Sequence, residues 1–263
     1  MTTKHIEKEP TRARRAVVAE GHDHPPGHLI DWHTHRRGQL LYASEGTMTV
    51  HTEAGIWVVP PHRAVWVPGG MRHQVRAGDA PLSMRTVKIE PNAVPGLHDQ
   101  CCVVAVSPLL RELILAAVAF GDAYDERGPD GRLARVLLDQ IRDLPTAPLH
   151  LPLLHDRRLK RMERALQNNP AEALTANEWA ALVGVSPRTF SRLFQKDTGM
   201  TFRQWRQQLR LLAAMRRLAA GQRVNQVALE LGYESTSAFV AMFRRALGTT
   251  PGRYFTTLSL IHI

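Results

Sequence analysis

The sequence predicts an α+β protein of two domains, a small β-barrel followed by an all-α domain. Short apolar runs separated by Gly, Pro and Ser fill the first half, which is typical of many short strands. From residue 156 the apolar spacing becomes helical, and one pattern occurs there twice. A chain of 263 residues is also long enough for two domains.

The N-terminal segment is polar and charged, so we expect a disordered leader over residues 1–25. A barrel is predicted for residues 26–106. Seven strand-like runs support it, at residues 39–44, 47–52, 56–59, 64–67, 73–77, 82–90 and 101–106.

Four side chains in the barrel region could hold a metal or effector. His33, His35 and Gln39 share odd parity, so on an extended segment they would point to one face. His73 could join them from a neighbouring strand. Three imidazoles and one oxygen suit a divalent transition metal such as Zn, Fe, Ni or Mn. The same residues could instead line a pocket for an organic effector, or be hydrogen-bonded core histidines.

The spacing of these residues resembles a known pattern. Residues 27–46 follow the first cupin motif, Gly-x5-His-x-His-x3-Gln-x6-Gly, with Gln39 where Glu is usual. Residues 68–73, PGGMRH, resemble part of the second motif, but His62 and Ala77 stand where its Gly and Asn would be. The resemblance implies a cupin-type sensor barrel. Gln39 and the broken second motif count against catalysis, so no enzyme is expected, and a metal-dependent cupin enzyme fused to a DNA-binding module is the alternative.

Three tryptophans in the barrel region have two interpretations. They could line an apolar effector pocket, or they could be ordinary barrel core, which is the commoner role. The residues are Trp32, Trp57 and Trp66.

Two amphipathic helices are predicted for residues 107–143. Ser107 and Gly121 bracket an apolar helix over 108–120. The run 132–142 has an apolar stripe formed by Leu133, Val136, Leu137 and Ile141. These helices could pack on the barrel or form a dimer interface, and we expect the dimer interface. Residues 144–155 contain three prolines and are predicted to be an interdomain linker.

The pattern that organises the second half occurs twice in register. Each copy has a small apolar helix, a Gly, a Ser two residues later, and a second helix with Phe at i and i+4. Phe190 and Phe194 recur as Phe239 and Phe243, 49 residues later. The Ser is a good N-cap, and the Gly permits the helix stop. Each copy therefore predicts a helix-turn-helix.

The run 202–220, between the copies, contains no Gly or Pro. Thr201 can cap it and Gly221 can end it. It predicts one rigid helix about 28 Å long. Such a helix would hold two recognition helices close to one DNA turn apart, roughly 34 Å. Both could then enter successive major grooves on one face of the duplex.

Residues 156–255 resemble the DNA-binding domain of the AraC/XylS regulators, and we place that domain at 156–257. The segment ALELGYESTSAF followed by FRRALGTTP carries the match. Position by position, the resemblance implies base reading by Arg188, Ser191, Arg192, Thr236, Ser237, Val240 and Ala241. Arg206 and Arg210 are predicted to face DNA phosphates, with a solvated helix face as the alternative.

The charge distribution agrees with a DNA partner. The chain carries a formal net charge of +10. Residues 156–255 hold 17 Lys/Arg and 7 Asp/Glu, whereas residues 1–155 hold 17 of each, so the excess lies in the helical half. A non-specific, nucleoid-type binder would share this charge.

Several sequence features indicate a cytoplasmic protein with no membrane partner. Cys101 and Cys102 are adjacent, which suits a reducing cytosol better than a structural disulfide. No apolar run has membrane-spanning length, and the N-terminus lacks a signal peptide.

Together these observations predict a one-component transcription regulator. A small-molecule or metal effector would bind the barrel and change DNA binding. The resemblance extends to cupin-bearing repressors of a neighbouring efflux transporter gene, which implies repression. It also implies double-stranded DNA and a second copy of the chain as partners, and it allows RNA polymerase as another.

Overall fold

The computed structural model describes residues 15–142 and 144–259, with side chains described through residue 255. The described chain forms two compact units. The first comprises residues up to 52 and residues 57–148, and the second comprises residues 53–56 and 149–259. No helix among the described residues is both long and apolar enough to cross a membrane.

The first unit is built on two antiparallel sheets. One sheet has the order β1-β8-β3-β6-β9-β10, and the other contains β5-β4-β7-β2. The strands are β1 (Val17–His24), β2 (Leu29–His33), β3 (Gly38–Glu45), β4 (Met48–Thr52), β5 (Gly55–Val59), β6 (Arg63–Val67), β7 (His73–Ala77), β8 (Leu82–Ile89), β9 (Cys102–Ala105) and β10 (Thr146–Ala147). The predicted β-rich domain is confirmed, but its strands form two sheets and not one closed ring of hydrogen-bonded strands.

The predicted leader is wrong for residues 17–24, and residues 1–14 lie outside the described residues. All eight residues of β1 pair with β8, from Val17 opposite Ile89 to His24 opposite Leu82. The segment looks disordered in sequence because the inward face of β1 is polar. Glu20 on that face pairs with Lys88 of β8, at 3.1 Å between Oε1 and Nζ.

Two helices cover one face of the first sheet, and both were predicted. They are α1 (Pro108–Phe120) and α2 (Pro129–Arg142). Leu40, Tyr42 and Val87 of the sheet belong to the same buried cluster as Leu110 and Leu137 of the helices. Of the stripe predicted on α2, Leu137 and Ile141 are buried, whereas Leu133 is 39% and Val136 42% exposed. The helices therefore pack on the sheet and leave part of their apolar surface uncovered.

The second unit is helical apart from one short strand, β11 (His150–Pro152). Its helices are α3 (Arg157–Asn168), α4 (Ala176–Leu182), α5 (Pro187–Thr198), α6 (Phe202–Ala219), α7 (Val224–Glu230), α8 (Thr236–Leu247) and α9 (Pro251–Ser259). The pairs α4–α5 and α7–α8 are the two predicted helix-turn-helix units. The connecting helix α6 is continuous over 18 residues, which corresponds to about 27 Å.

The two helix-turn-helix units begin and end their second helices alike. The hydroxyl oxygens of Ser186 and Ser235 each accept a hydrogen bond from a backbone N–H three residues later, both at 3.2 Å. Gly199 and Gly248 follow these helices in the left-handed conformation, with φ of 69° and 77°, a conformation that favours glycine. The predicted phenylalanines, Phe190, Phe194, Phe239 and Phe243, are all 0% exposed.

The second half of the predicted linker is a fixed part of the second unit. Leu149, Leu151 and Leu154 are at most 1% exposed. The indole N–H of Trp205 donates to the carbonyl of Pro152 at 2.8 Å. These three buried leucines, two between Pro148 and Pro152 and one after Pro152, explain why the segment is packed, and it belongs to the unit that begins at residue 149.

Candidate nucleic-acid interface and candidate ligand site

The first predicted recognition helix, α5, presents its predicted base-reading residues on one exposed face. Arg188, Ser191 and Arg192 are all exposed, and their spacing of i, i+3 and i+4 places them together. The opposite face carries Phe190 and Phe194 into the core. The structure therefore leaves two guanidinium groups available on the outer surface of this helix.

The second predicted recognition helix, α8, has a different outer face. Thr236, Ser237 and Ala241 are exposed, and Val240 is half-buried. This face offers two hydroxyl groups and small apolar groups, without a charged side chain at the four predicted positions. Its chemistry differs from that of α5 although the two backbones repeat.

Arg206 and Arg210, predicted to face DNA phosphates, make contacts within the second unit. Arg206 donates from Nη1 to the carbonyl of Leu174 at 3.0 Å, and its guanidinium lies 5.2 Å from the centre of the Phe202 ring. Arg210 donates from Nε to the carbonyl of Pro170 at 2.9 Å. Both side chains are half-buried and reach from α6 to the loop between α3 and α4. These contacts add a structural interpretation to the predicted phosphate contact.

Arg210 also contacts the second helix-turn-helix. Its guanidinium lies 5.5 Å from the centre of the Tyr233 ring, in the turn before α8. Burial lowers the pKa of Arg210 below its usual value, and the neighbouring Arg206 acts in the same direction. This arginine therefore joins α6 to two loops of the second unit.

The candidate ligand site in the first unit brings three predicted histidines together. The possible ligand atoms of His33, His35 and His73 all lie within 4.8 Å of one another. His33 of β2 stands opposite His73 of β7 in the antiparallel register. The sequence prediction that His73 would join the other two from a neighbouring strand is confirmed.

Hydrogen bonds orient two of the three imidazoles. Nδ1 of His33 lies 2.6 Å from the carbonyl oxygen of Asp31, and Nδ1 of His73 lies 3.0 Å from that of Met71. Because a carbonyl can only accept, Nδ1 is the donor in each bond, and Nε2 is the ring nitrogen left for a ligand. Hydrogen bonds of this kind, from the ring nitrogen that does not bind the metal, are usual for metal-bound histidines.

Gln39 lines the same cavity, but by another route than predicted. A bend at residues 36–37 separates it from His35, so the three residues do not lie on one extended segment. Gln39 points inward from β3, and its Oε1 is buried with no hydrogen-bond partner among the described residues. Nε2 of His73 is also buried with no hydrogen-bond partner among the described residues. Two buried polar atoms thus point into a cavity that can satisfy them with a ligand.

The cavity is small, and two of its histidines have a lowered pKa. Its volume is about 100 Å³, and its walls come from both sheets. Burial lowers the pKa of His35 and of His73 to about 4, against a usual value of 6.5. Neutral imidazoles are the form that binds metals, and the volume suits an ion with bound water better than an organic molecule.

Sequence reasoning missed part of this cavity. Glu20, His22 and Lys88 also line it. Glu20 and His22 lie on β1, the strand mistaken for a leader. The signal that could have found them is the alternation of Val17 and Ala19, both buried, with Glu20 and His22.

The three tryptophans do not share an effector pocket. Trp57 is 4% exposed, the Trp32 ring lies 5.0 Å from the guanidinium of Arg72, and Trp66 lies on the face of the first sheet that packs against the helices. The three side chains therefore do not line one effector pocket, and the burial of Trp57 and Trp66 agrees with the commoner role as core.

Comparisons with known protein families match both units. A family model described as "AraC-like ligand binding domain" matches residues 17–144. A second, described as "Helix-turn-helix domain", matches residues 179–257. The two matches cover the ligand cavity and the two helix-turn-helix units respectively.

The chain is also similar to individual known proteins. The chain is 40% identical over 229 residues to the HTH-type transcriptional regulator NimR of Escherichia coli (strain K12), covering 87% of this chain and 83% of that protein. It is 36% identical over 124 residues to the HTH-type transcriptional regulator RipA of Corynebacterium glutamicum, covering 47% of this chain and 35% of that protein. Among solved structures, ToxT from Vibrio cholerae aligns over 92% of this chain and 98% of its own, with 10% identity and a TM-score of 0.39.

Proposed function

The chain belongs to the AraC family of helix-turn-helix transcription regulators, and from that premise we propose that it represses a neighbouring efflux transporter gene in response to an effector. Binding DNA is the family's activity, and the N-terminal unit is a ligand-binding domain rather than an enzyme. The observation that carries the DNA-binding part of the proposal is the pair of helix-turn-helix units joined by the unbroken helix α6; repression and the efflux target come from the resemblance alone.

The two recognition helices divide the work of reading DNA. Arg188 and Arg192 on α5 can make bidentate contacts with guanine, which is the most discriminating contact available in the major groove. The outer face of α8 offers hydroxyl and methyl groups, which contact thymine methyls and the backbone. The first unit therefore carries most of the base discrimination, and the second adds positioning.

A divalent transition metal is the proposed occupant of the small cavity. His33, His35 and His73 would hold it through imidazole nitrogens, with the amide oxygen of Gln39 as a fourth ligand. The buried Nε2 of His73 and Oε1 of Gln39, with no hydrogen-bond partner among the described residues, support this donor set. The metal would supply a charged centre that cross-links β2, β3 and β7. The amide of Gln39 is neutral, whereas a carboxylate there would carry one negative charge. The lower negative charge at the site favours sensing over redox chemistry.

The protein works as a homodimer in this proposal. Leu109 is 54% exposed on α1, and Leu133 and Val136 are exposed on α2. Large apolar side chains on two neighbouring helices are typical of an interaction surface. A dimer would place two DNA-binding units on one operator, and RNA polymerase is the machinery whose access it would control.

Binding assays on the upstream region of the protein's own gene test the proposal. The full chain should bind that DNA far more tightly than random DNA of equal length, and added Zn²⁺ or Ni²⁺ should change the affinity. A reporter gene placed downstream should be silenced by the protein. Equal affinity for random DNA would instead indicate the nucleoid-type binder, and activation of the reporter would overturn repression.

A further inference from the structure

A second and larger pocket lies at one end of the first sheet. Its volume is about 460 Å³, which is within the range of roughly 300–1,000 Å³ typical of sites for organic ligands. The ends of β3, β6 and β8 form its floor, and the loop of residues 91–98 forms its wall. Trp66, Ile89, Val94 and Leu97 supply its apolar surface, and Arg36 and Glu90 supply charge.

This pocket and the histidine cavity lie on opposite faces of the same sheet. Side chains alternate along a strand. The pocket is lined by Gly38 of β3 and Ile89 of β8. The histidine cavity is lined by the next residue on β3, Gln39, and the preceding residue on β8, Lys88. A molecule in one site therefore cannot be the molecule in the other.

The pocket has a shape that the backbone enforces. The indole N–H of Trp66 donates to the carbonyl of His98 at 2.7 Å, which fastens the end of the loop to the sheet. A Cβ added at Gly38 would lie 2.2 Å from the Trp66 ring, and one added at Gly69 would lie 2.3 Å from the carbonyl oxygen of Arg36. Glycine is thus required at both positions, for the Trp66 ring to pass Gly38 and for the backbone at Arg36 to pass Gly69. The pocket is therefore formed without any rearrangement.

The polar groups are concentrated near Glu90. Its Oε1 accepts hydrogen bonds from Arg36 and from Arg37, where the Arg37 Nε lies at 2.9 Å. The two guanidiniums lower the pKa of Glu90 against the effect of its burial. The side chain of Arg36 is 56% exposed, so its guanidinium lies at the pocket with access to solvent while it also donates to Glu90. Such a group pairs bidentately with carboxylates.

We propose that this pocket binds a small aromatic carboxylate, with its ring among Trp66, Val94 and Leu97 and its carboxylate on Arg36. The pocket has the volume for an organic molecule, whereas the histidine cavity of about 100 Å³ does not. Binding depends only on the first unit. That the bound molecule is the effector rests on the proposed function. The loop 91–98 forms the wall of the pocket, so it is the element that a bound ligand would contact.

Titration of the full chain with benzoate, salicylate and 1-naphthoate tests the site, with benzamide and benzamidine as neutral and cationic probes. Calorimetry in EDTA should show binding of at least one carboxylate, with the matching amide and amidine about tenfold weaker or more. Leu97→Trp, which fills the pocket, should abolish binding. Arg36→Gln should remove the preference for carboxylates. Arg76→Ala, an exposed change on β7 outside both sites, should bind like the wild type.

Different outcomes would overturn the pocket assignment, the role of the ligand as effector and the proposed function. If no carboxylate binds, if benzamidine binds as tightly, or if Leu97→Trp binds normally while remaining folded by circular dichroism, the pocket assignment is wrong. Binding that leaves operator affinity unchanged would overturn the role as effector and leave the site intact. If the wild-type protein shows no specific DNA binding, the proposed function is overturned, and the pocket assignment is not affected.

Discussion

The carboxylate of Asp197 accepts a hydrogen bond from the backbone N–H of His155 at 2.7 Å. The same oxygen accepts a second bond from the N–H of Asp156 at 2.8 Å. Asp197 lies in the last turn of α5, the first recognition helix, and Asp156 caps α3. One side chain thus fastens the segment that precedes α3 to α5, the helix predicted to read DNA. Glu163 of α3 acts in parallel by accepting from the N–H of Leu154 at 3.0 Å.

Replacing Asp197 with Ala should destabilise the second unit by about 1–3 kcal/mol, because two backbone N–H groups lose a charged acceptor. Urea denaturation of the full chain, followed by tryptophan fluorescence, measures this. Asp139→Ala is the matched control, since the Asp139 side chain is 67% exposed on α2 and its ion pair with Arg142 is long, at 3.5 Å. Equal midpoints for the two variants would show that the Asp197 contact contributes nothing.

Arg192→Ala should cost about 1–3 kcal/mol of binding to the operator and relax the preference at one base position. The reason is the loss of a bidentate contact with guanine. Competition binding against operators substituted at each position measures it. Lys196→Ala, one turn further along α5 and also exposed, is the control and should leave base preference unchanged. An Arg192→Ala variant with wild-type preference at every position would refute the assignment.

Arg210→Ala should lower the free energy of unfolding by about 1–3 kcal/mol, since the bond to the Pro170 carbonyl and the contact with Tyr233 are lost. The salt dependence of DNA affinity should keep its slope. Arg203→Ala, an exposed change on the same helix, should leave stability unchanged. A fall of about one unit in the salt slope of Arg210→Ala, with stability unchanged, would support the phosphate-facing role.

The metal-free protein should lose stability as the pH falls. The pKa of His35 and of His73 is about 4 in the folded state and 6.5 ordinarily, so between these values the unfolded chain binds more protons. The free energy of unfolding should therefore decrease as the pH falls from 6.5 towards 4 and stay level just above 6.5. Thermal melting in EDTA at stepped pH measures the slope. The slope should be smaller in His73→Gln, and an unchanged slope there would contradict the cause given.

How far the sequence predicts the fold depends on what each strand faces. The strands from β3 to β9 were predicted because apolar residues and Gly- or Pro-containing turns delimit them. The strand β1 was missed because its alternation is short: Val17 and Ala19 are buried, whereas residues 21–23 are exposed. Glu20 and His22 line a polar cavity, and the pairing of Glu20 with Lys88 could not be inferred from the sequence.

The candidate sites show the same limit. Spacing placed His33, His35 and His73 in one site and put Arg188 and Arg192 on one helix face. Spacing could not show that Arg206 and Arg210 bend back to backbone carbonyls of a distant loop, because that loop is 30 to 40 residues away along the chain. The 460 Å³ pocket was also invisible in sequence, since it is formed by strand ends and a loop without a motif.

Hydroxyl-radical footprinting of the full chain on the upstream region of its own gene tests the central claim most directly. A continuous α6 holding two recognition helices predicts two protected patches about 10 base pairs apart, on the same face of the duplex. A single protected patch, or two patches on opposite faces, would contradict it.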